Sequence, residues 1–251
     1  MQNKPGVFIT GTDTGVGKTI VSAGLAMVLR ERGVRVGVMK PVATGCLGEE
    51  PNLVSSDAVY LMEASGCEYP SLINPVRLKT PMAPSVAASI ERKEISIQKI
   101  KDAYHEMQKH YDFIIVEGVG GLMVPITNDY FVSHLIRDFK LPVVIVARNV
   151  LGAINHTLLT IDAAIIRGFE IRGVIFNRVP QVNLSMIETT NPKVIHDVTG
   201  IPILGSLPPM DDVDVDTCQF GKLKQVFQER IRVDKILFNA RLDETLAPSL
   251  G

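Results

Sequence analysis

The sequence lacks an excess of charge of either sign. Its 26 lysines and arginines nearly balance 27 aspartates and glutamates, so the formal net charge over 251 residues is -1. Nucleic-acid-binding proteins usually carry a basic surface and solvating tails an acidic one, and the balance argues against both classes. The hydrophobic fraction of 46% is ordinary for a folded chain and too high for a disordered one.

Cysteine is scarce, and long apolar runs are missing. The three cysteines are widely spaced and form no CxxC pair, so neither a disulfide framework nor a zinc site is indicated. The longest useful apolar run, 141–147, falls far short of the ~20 residues that span a bilayer. Residues 1–6 do not show the basic-then-apolar pattern of a signal peptide, and we expect a cytoplasmic protein.

Short β-branched apolar segments alternate with longer amphipathic segments. The predicted strands are 7–10, 34–40, 113–117, 143–147, 173–177 and 201–205. The predicted helices are 18–32, 97–110, 131–139, 154–167 and 185–198. The alternation predicts an α/β fold, a parallel β-sheet flanked by helices, which we expect to form a single domain over residues 1–251. In such sheets ligands bind beyond the carboxyl ends of the strands.

Two regions depart from this alternation. Residues 41–96 are rich in Gly, Pro and Ser, which predicts a long functional loop with short helices near 57–64 and 85–90. The tail at about 219–245 is predicted to form one or two terminal helices, and it carries no recognisable motif.

A phosphate loop is predicted after the first strand. The sequence GTDTGVGKT at 11–19 precedes a predicted helix and is a variant of G-x-x-x-x-G-K-[ST], with its first glycine one position early. Glycines let backbone N–H groups surround phosphate oxygens, Lys18 would neutralise the phosphates, and Thr19 would offer its hydroxyl to Mg²⁺. An ordinary glycine-rich turn is the alternative, and the position between strand and helix disfavours it.

A second lysine and two carboxylates are predicted at the same edge of the sheet. Lys40 ends the second predicted strand, which we expect to be interior, and burying its charge is costly unless it meets an anion. A lysine in solvent is equally compatible with the sequence. Glu117 ends a buried strand, before a glycine-rich turn, where nucleotide enzymes hold Mg²⁺. Asp57 could be a second metal ligand, although spacing alone favours a residue that begins a helix.

Six motifs in order resemble one enzyme family. They are GTDTGVGKT (11–19), KPVATG (40–45), SDA (56–58), NP (74–75), VEGVGG (116–121) and LGAINHTLLT (151–160). The ordered set, which spans about residues 7–209, is similar to that of the dethiobiotin synthetases of the biotin pathway. The resemblance implies a P-loop NTPase-like fold and a homodimeric, ATP-dependent ligase. It also implies closure of a cyclic urea on 7,8-diaminononanoate (7,8-diaminopelargonate) with CO₂ and MgATP, through a carbamate and a carbamic–phosphoric anhydride.

The resemblance assigns roles to individual residues. Those that would wrap the triphosphate are Thr14, Gly15, Val16, Gly17, Lys18 and Thr19. Thr19, Asp57 and Glu117 would hold Mg²⁺. The catalytic candidates are Lys18, Lys40 and Thr44: Lys40 and Thr44 would contact the carbamate, and Lys18 would bridge it to the γ-phosphate.

The resemblance also implies contacts with the base and with the substrate. Asn177 matches an adenine-reading asparagine of the family, with a plain turn residue as the alternative. Gly152 and Asn155 begin a helix whose free N–H groups could bind the substrate carboxylate, and in the family this segment reaches the site of the other subunit. Asn155 could also be only a first-turn helix residue. Thr14, Glu117 and Gly120 complete the set of substrate candidates.

Two other classes of function stay open at this point. One is another ATP-dependent amide-forming ligase, although the chain is too short for the glutaminase domain that such ligases usually carry. The other is a nucleotide-switched, partition-type ATPase, whose loop usually has a lysine where this chain has Asp13. With a net charge of -1 and no basic amphipathic tail, we expect neither nucleic acid nor membrane as a partner.

Overall fold

A computed structural model describes residues 4–178 and 186–237, and these form strands and helices in alternation. The strands are β1 (Gly6–Gly11), β2 (Val36–Met39), β3 (Val42–Ala43), β4 (Val76–Arg77), β5 (Phe113–Gly121), β6 (Val143–Arg148), β7 (Ile171–Asn177) and β8 (Ile203–Ser206). The helices are α1 (Lys18–Glu31), α2 (Ser56–Ser65), α3 (Pro70–Ile73), α4 (Pro84–Glu91), α5 (Ile97–His110), α6 (Val132–Phe139), α7 (Ala153–Ile166), α8 (Met186–Thr199), α9 (Leu223–Arg230) and α10 (Val233–Leu237).

Six parallel strands form the central sheet, in the order β2-β5-β1-β6-β7-β8. The prediction of a parallel sheet flanked by helices is therefore confirmed. The predicted strands and helices are present, and their ends shift by two residues or fewer except at the end of β5. Ser185, the first residue of the predicted helix 185–198, lies outside the described residues.

The strand that precedes Lys40 lies at an edge of the sheet, so the prediction of an interior strand was wrong. β2 pairs with β5 alone in the sheet order. It is nevertheless buried along its whole length, because α2, α3 and α5 pack against it. An apolar segment reports burial on both faces and does not distinguish an edge strand covered by helices from an interior strand.

β5 continues four residues beyond Glu117, where the sequence predicted a turn. Gly121, the last residue of β5, still pairs with Gly11 of β1 after an irregularity in the register. A Cβ atom on Gly118 would lie 2.9 Å from the ring of Phe8, so a larger residue does not fit there. The glycines of 118–121 were predicted to form a turn. In the structure they continue the strand and let the backbone of β5 approach the phosphate loop closely.

Residues 41–96 contain more regular structure than predicted. The predicted helices near 57–64 and 85–90 are present as α2 and α4. β3 and β4 form a separate parallel pair, and the short helix α3 lies between α2 and β4. Strands of two residues are too short to show a hydrophobic period, which is why the sequence pattern missed them.

The C-terminal segment packs on the helix that follows the phosphate loop. Phe227 of α9 is fully buried, and a Cβ atom on Gly24 of α1 would lie 2.3 Å from its ring. Lys224 pairs with Glu31 at 2.5 Å. The prediction of terminal helices is confirmed for α9 and α10, and the rest of the predicted tail, from residue 238, lies outside the described residues. Within 4–178 and 186–237, no helix has the length and apolarity needed to cross a bilayer.

Candidate functional site

The loop between β1 and α1 is held by residues from the ends of two neighbouring strands. Gly15 and Gly17 have φ angles of 70° and 97°, a region that side chains with a Cβ atom rarely adopt. Asn177, at the end of β7, donates from Nδ2 to the carbonyl oxygen of Val16 at 3.0 Å, and Arg148, at the end of β6, donates from Nη2 to that of Gly15 at 3.0 Å. A Cβ atom on Gly17 would lie only 1.8 Å from Asn177 Nδ2, so glycine is required there.

Lys18 folds back over this loop. Its Nζ donates to the carbonyl oxygen of Asp13 at 3.0 Å, and the residue is 6% exposed. Burial, with a smaller contribution from the neighbouring ammonium of Lys40, lowers the pKa of Lys18 to about 8 against the opposing effect of Glu117 and Asp57. The two lysines therefore converge as predicted, and Lys18 is a partly desolvated cation to which no carboxylate of residues 4–178 and 186–237 is hydrogen bonded.

Lys40 is fixed at both ends, by its backbone and by its ammonium. Its N–H donates to the carbonyl oxygen of Ile73 at 2.7 Å, and its own carbonyl oxygen accepts from Asn74 Nδ2 at 2.7 Å. Its Nζ lies 2.6 Å from Glu117 Oε1 and 2.7 Å from Asp57 Oδ2. Burial alone would lower the pKa of Lys40, but the two carboxylates raise it above its usual value, so the ammonium stays charged.

Thr19 joins the same two carboxylates from the first turn of α1. Its Oγ1 lies 3.0 Å from Asp57 Oδ1 and 2.9 Å from Glu117 Oε1, and its single proton serves one of them at a time. Asp57 fits both of its interpretations. It lies in the first turn of α2, which Ser55 caps by accepting from the N–H of Ala58, and it reaches the site as well.

The two carboxylates differ in their ease of protonation. Burial would raise the pKa of Asp57, but Lys40, with help from Thr19 and Lys18, outweighs that effect and the pKa of Asp57 is lowered. Glu117 is 1% exposed, and its burial raises its pKa despite the ion pair with Lys40. A buried carboxylate with a raised pKa gains from any further cation near it.

The donor set fits a magnesium ion that is bound together with a nucleotide. Glu117 Oε2 is buried and has no hydrogen-bond partner among the described residues, which leaves one strong acceptor free beside Thr19 and Asp57. Within 4–178 and 186–237, no group of three or more His, Cys, Asp and Glu residues could hold a metal by itself. Mg²⁺ is commonly held by one or two carboxylates plus substrate phosphates and water, and this site offers that many.

The remaining candidates lie at different distances from this cluster. A Cβ atom on Gly120 would lie 3.5 Å from Thr14 Oγ1, so these two substrate candidates are neighbours. Thr44 is half-buried just after β3, and in the described part of the chain it makes no hydrogen bond to the other candidates. Gly152, with φ 91°, and Asn155 are both exposed at the start of α7.

Sequence reasoning missed the contacts of two residues. Arg148 holds the phosphate loop, and its position at the end of a parallel strand was a signal that could have marked it. Asn74 was part of a motif but received no role. It is 2% exposed and donates from Nδ2 to the carbonyl oxygens of Lys40 and Val76. Its contact with Lys40 joins residues that are 34 positions apart, and no local pattern reports such a contact.

We expect the substitution Lys18→Met to raise the melting temperature at pH 7 more than at pH 10. The unfolded lysine titrates near 10.5 and the folded one near 8, so the cost of burying the charge is fully present below about pH 8. That cost falls to zero as the pH rises from about 8 to 10.5, because the unfolded side chain then loses its proton too.

Thermal unfolding followed by circular dichroism at both pH values measures this difference. Lys109→Met, at an exposed position of α5, is the control and should change little at either pH. The same increase at pH 7 and pH 10 for Lys18→Met would contradict the pKa assigned to Lys18.

Solved structures of similar fold include ATPases of the phosphate-loop type. A ParA family ATPase from Chlorobium tepidum TLS aligns with a TM-score of 0.56 at 18% identity, covering 94% of this chain and 98% of that one. The septum site-determining protein MinD complexed with Mg-ADP, from Pyrococcus horikoshii OT3, aligns with a TM-score of 0.54 at 16% identity, covering 98% and 100%. At these identities the likeness shows the fold alone.

Proteins of similar sequence identify a narrower family than the fold does. A family model described as an AAA domain matches residues 5–217. A protein named ATP-dependent dethiobiotin synthetase BioD from Thermodesulfovibrio yellowstonii is 42% identical over 221 residues, covering 85% of this chain and 92% of the relative. Proteins of the same name from Aquifex aeolicus and Bacillus subtilis subsp. natto are 41% and 40% identical, covering 83% and 84% of this chain and 91% and 90% of their own. Similarity of this extent, with a phosphate-loop fold and a buried lysine–carboxylate site, means that the chain belongs to the family of ATP-dependent dethiobiotin synthetases.

Proposed function

We propose that this chain closes the ring of dethiobiotin: it joins 7,8-diaminononanoate and CO₂, using MgATP, and releases ADP and phosphate. The observation that carries the proposal is the convergence of two lysines, a threonine hydroxyl and two carboxylates at the edge of the sheet where β1 and β2 end. Relatives named as this ligase support it over the aligned four fifths of the chain. Such a reaction forms carbon–nitrogen bonds and needs an ATP-derived leaving group.

The nucleotide would bind along the phosphate loop. Backbone N–H groups of 14–19 and the N-terminus of α1 would receive the triphosphate, and Lys18 would leave the carbonyl of Asp13 to meet the γ-phosphate. Asn177 would read the adenine with the side-chain atoms that Val16 does not occupy. Thr19, Asp57 and Glu117 would hold Mg²⁺. The metal would supply neutralisation of the phosphate charge and a fixed phosphate geometry.

The substrate carbamate would lie between the two lysines. One amine of the substrate attacks CO₂ and loses a proton, which forms the carbamate. A carbamate oxygen then attacks the γ-phosphorus, and ADP leaves. Lys40 and Thr44 would orient the carbamate, with Lys18 between it and the γ-phosphate, so that the reacting atoms are in line.

Ring closure completes the reaction. The second amine attacks the carbonyl carbon of the carbamic–phosphoric anhydride, the carbon–oxygen bond to phosphate breaks, and the nitrogen loses a proton. Thr14 and Gly120, which are neighbours, would border this end of the substrate together with Glu117, whose Oε1 accepts from Lys40. No side chain forms a covalent bond, so the protein acts by positioning and by charge.

We expect phosphate release from MgATP to require both 7,8-diaminononanoate and bicarbonate, with one cyclic urea formed per phosphate. In Lys40→Gln, ATP binding should persist because Lys40 does not contact the phosphate loop, while turnover should fall by about 10²-fold or more because a charge at the reacting group is lost. A coupled phosphate assay and mass spectrometry of the product measure both quantities.

Lys109→Gln removes an exposed lysine of α5 and should keep wild-type turnover. Phosphate release that ignores the diamine would refute the synthetase proposal. If DNA or lipid vesicles stimulated release instead, the nucleotide-switch alternative would be supported. Full turnover in Lys40→Gln would remove Lys40 from the mechanism and leave the rest of the proposal intact.

We further propose a homodimer in which α7 meets the partner subunit. Asn155, Leu159 and Ile166 share one exposed face of α7, and Leu159 and Ile166 are 59% and 81% exposed. Leu151, just before the helix, is 86% exposed. Apolar side chains grouped in this way mark an interaction surface. Burying this face in a dimer would carry Gly152 and Asn155 to the partner's substrate carboxylate.

Cytoplasmic location and a single domain over 1–251 stay predictions.

Hybrid dimers test whether Asn155 acts on the partner's site. We expect a mixture of Lys40→Gln and Asn155→Ala subunits, each nearly inactive alone, to recover activity. In a hybrid, one site then has both defects and the other has none, so each hybrid dimer should show about half of the wild-type rate, if the two sites work independently.

Mixing after mild dissociation, with sedimentation to confirm dimers, gives the measurement. Ile166→Asp, which places a charge on the same face of α7, should weaken the dimer and abolish the recovery. A mixture no more active than its separate components would mean that Asn155 acts within its own subunit or does not act at all.

A further inference from the structure

We propose that Lys40 is an exchangeable counter-ion of the metal site. Without metal, its ammonium neutralises Asp57 and Glu117; when magnesium binds with the nucleotide, it leaves both carboxylates and becomes available to the substrate anion. The inference rests on the proposed function for the identity of the metal and the anion. The proposed reaction by itself requires neither that the metal binds before the substrate anion nor that metal and ammonium compete for the carboxylates.

The contacts place the lysine where a bound metal would conflict with it. Glu117 Oε1 receives Lys40 Nζ at 2.6 Å and Thr19 Oγ1 at 2.9 Å. On Asp57 the same two partners contact different oxygens, with Oδ2 at 2.7 Å from Lys40 Nζ and Oδ1 at 3.0 Å from Thr19 Oγ1. A cation bound by Thr19 and both carboxylates, even one that takes Glu117 Oε2 and Asp57 Oδ1, would share with the ammonium the two carboxylate groups that neutralise it. Two cations held by the same carboxylates repel strongly in a buried site.

The backbone of Lys40 is pinned, so the exchange must be a side-chain movement. The residue follows β2, whose last residue, Met39, pairs with Val116 of β5. Ile73 and Asn74 hold its N–H and carbonyl oxygen, each at 2.7 Å. The four-carbon stem of lysine can swing its ammonium by several ångströms while the backbone stays in place. Asn74 is therefore a positioning residue that limits the movement to that stem.

Competition at the carboxylates couples the metal to the substrate. Until the carboxylates have another cation, the ammonium gains more from Glu117 and Asp57 than from a carbamate, because both carboxylates are within 2.7 Å. Once released, it is a buried cation in need of an anion. Metal and substrate anion should consequently strengthen each other's binding, as linkage requires.

The test measures binding of Mn²⁺ alone to the nucleotide-free protein at pH 8, by the loss of the free-ion signal in electron paramagnetic resonance. Lys40→Met removes the competing charge and should tighten Mn²⁺ binding tenfold or more. Lys18→Met is the matched control, because it removes another buried lysine of the same site. Lys18 Nζ is hydrogen bonded to a backbone carbonyl oxygen and to neither carboxylate. The effect of Lys18→Met should stay within about threefold.

The outcomes separate specific competition from a general effect of charge. Unchanged or weaker Mn²⁺ binding by Lys40→Met would overturn the proposal, and so would equal tightening in both variants. If Lys40→Met does not fold, Lys40→Gln, which keeps a polar donor without the charge, replaces it with the same expectation. No diamine, bicarbonate or turnover enters the measurement, so a failure of the synthetase proposal would be distinguishable from a failure of the exchange.

Discussion

The buried ion pair between Lys40 and Glu117 is the interaction on which the site depends. Neither charge could be buried alone, because taking an ion out of water costs several kcal/mol even after relaxation. Met39, the last residue of β2, pairs with Val116 of β5, so Lys40 and Glu117 follow this pair side by side and their charged groups lie 2.6 Å apart. Thr19 and Asp57 each lie in the first turn of a helix. Thr19 contacts Glu117, Asp57 contacts Lys40, and the two residues contact each other. One contact thus joins two strands to two helices.

The cluster has a cost in stability that fits a binding site. Lys18 keeps a pKa near 8 because its charge is buried without a carboxylate hydrogen bonded to it, and Glu117 keeps one oxygen without a partner among the described residues. Natural proteins retain such costly groups where a ligand completes them. An anion at Lys18 and a cation at Glu117 would satisfy these two groups, and the magnesium-bound triphosphate that we propose would supply both.

Much of this could be read from the sequence, because parallel sheets place functional residues by rule. The phosphate loop follows β1, Lys40 follows β2, and Glu117 lies in β5 directly after the residue that pairs with the end of β2, so the rule brought them together correctly. Edge and interior positions in the sheet could not be distinguished, since an apolar strand reports only that it is covered. The glycines after Glu117 could as well have been a turn as a strand. The hold of Asn74 on Lys40 depends on a tertiary contact that local patterns do not contain.

A double-mutant cycle on Lys40→Met and Glu117→Gln tests the dependence most directly. Urea unfolding gives the free energy of unfolding of the wild type, both single variants and the double variant. We expect each single variant to lose about 2–4 kcal/mol, because it leaves an unpaired buried group, and the double variant to lose at least about 1 kcal/mol less than the sum. Losses that simply add would mean that the two residues are held independently, and that the ion pair is not what organises the site.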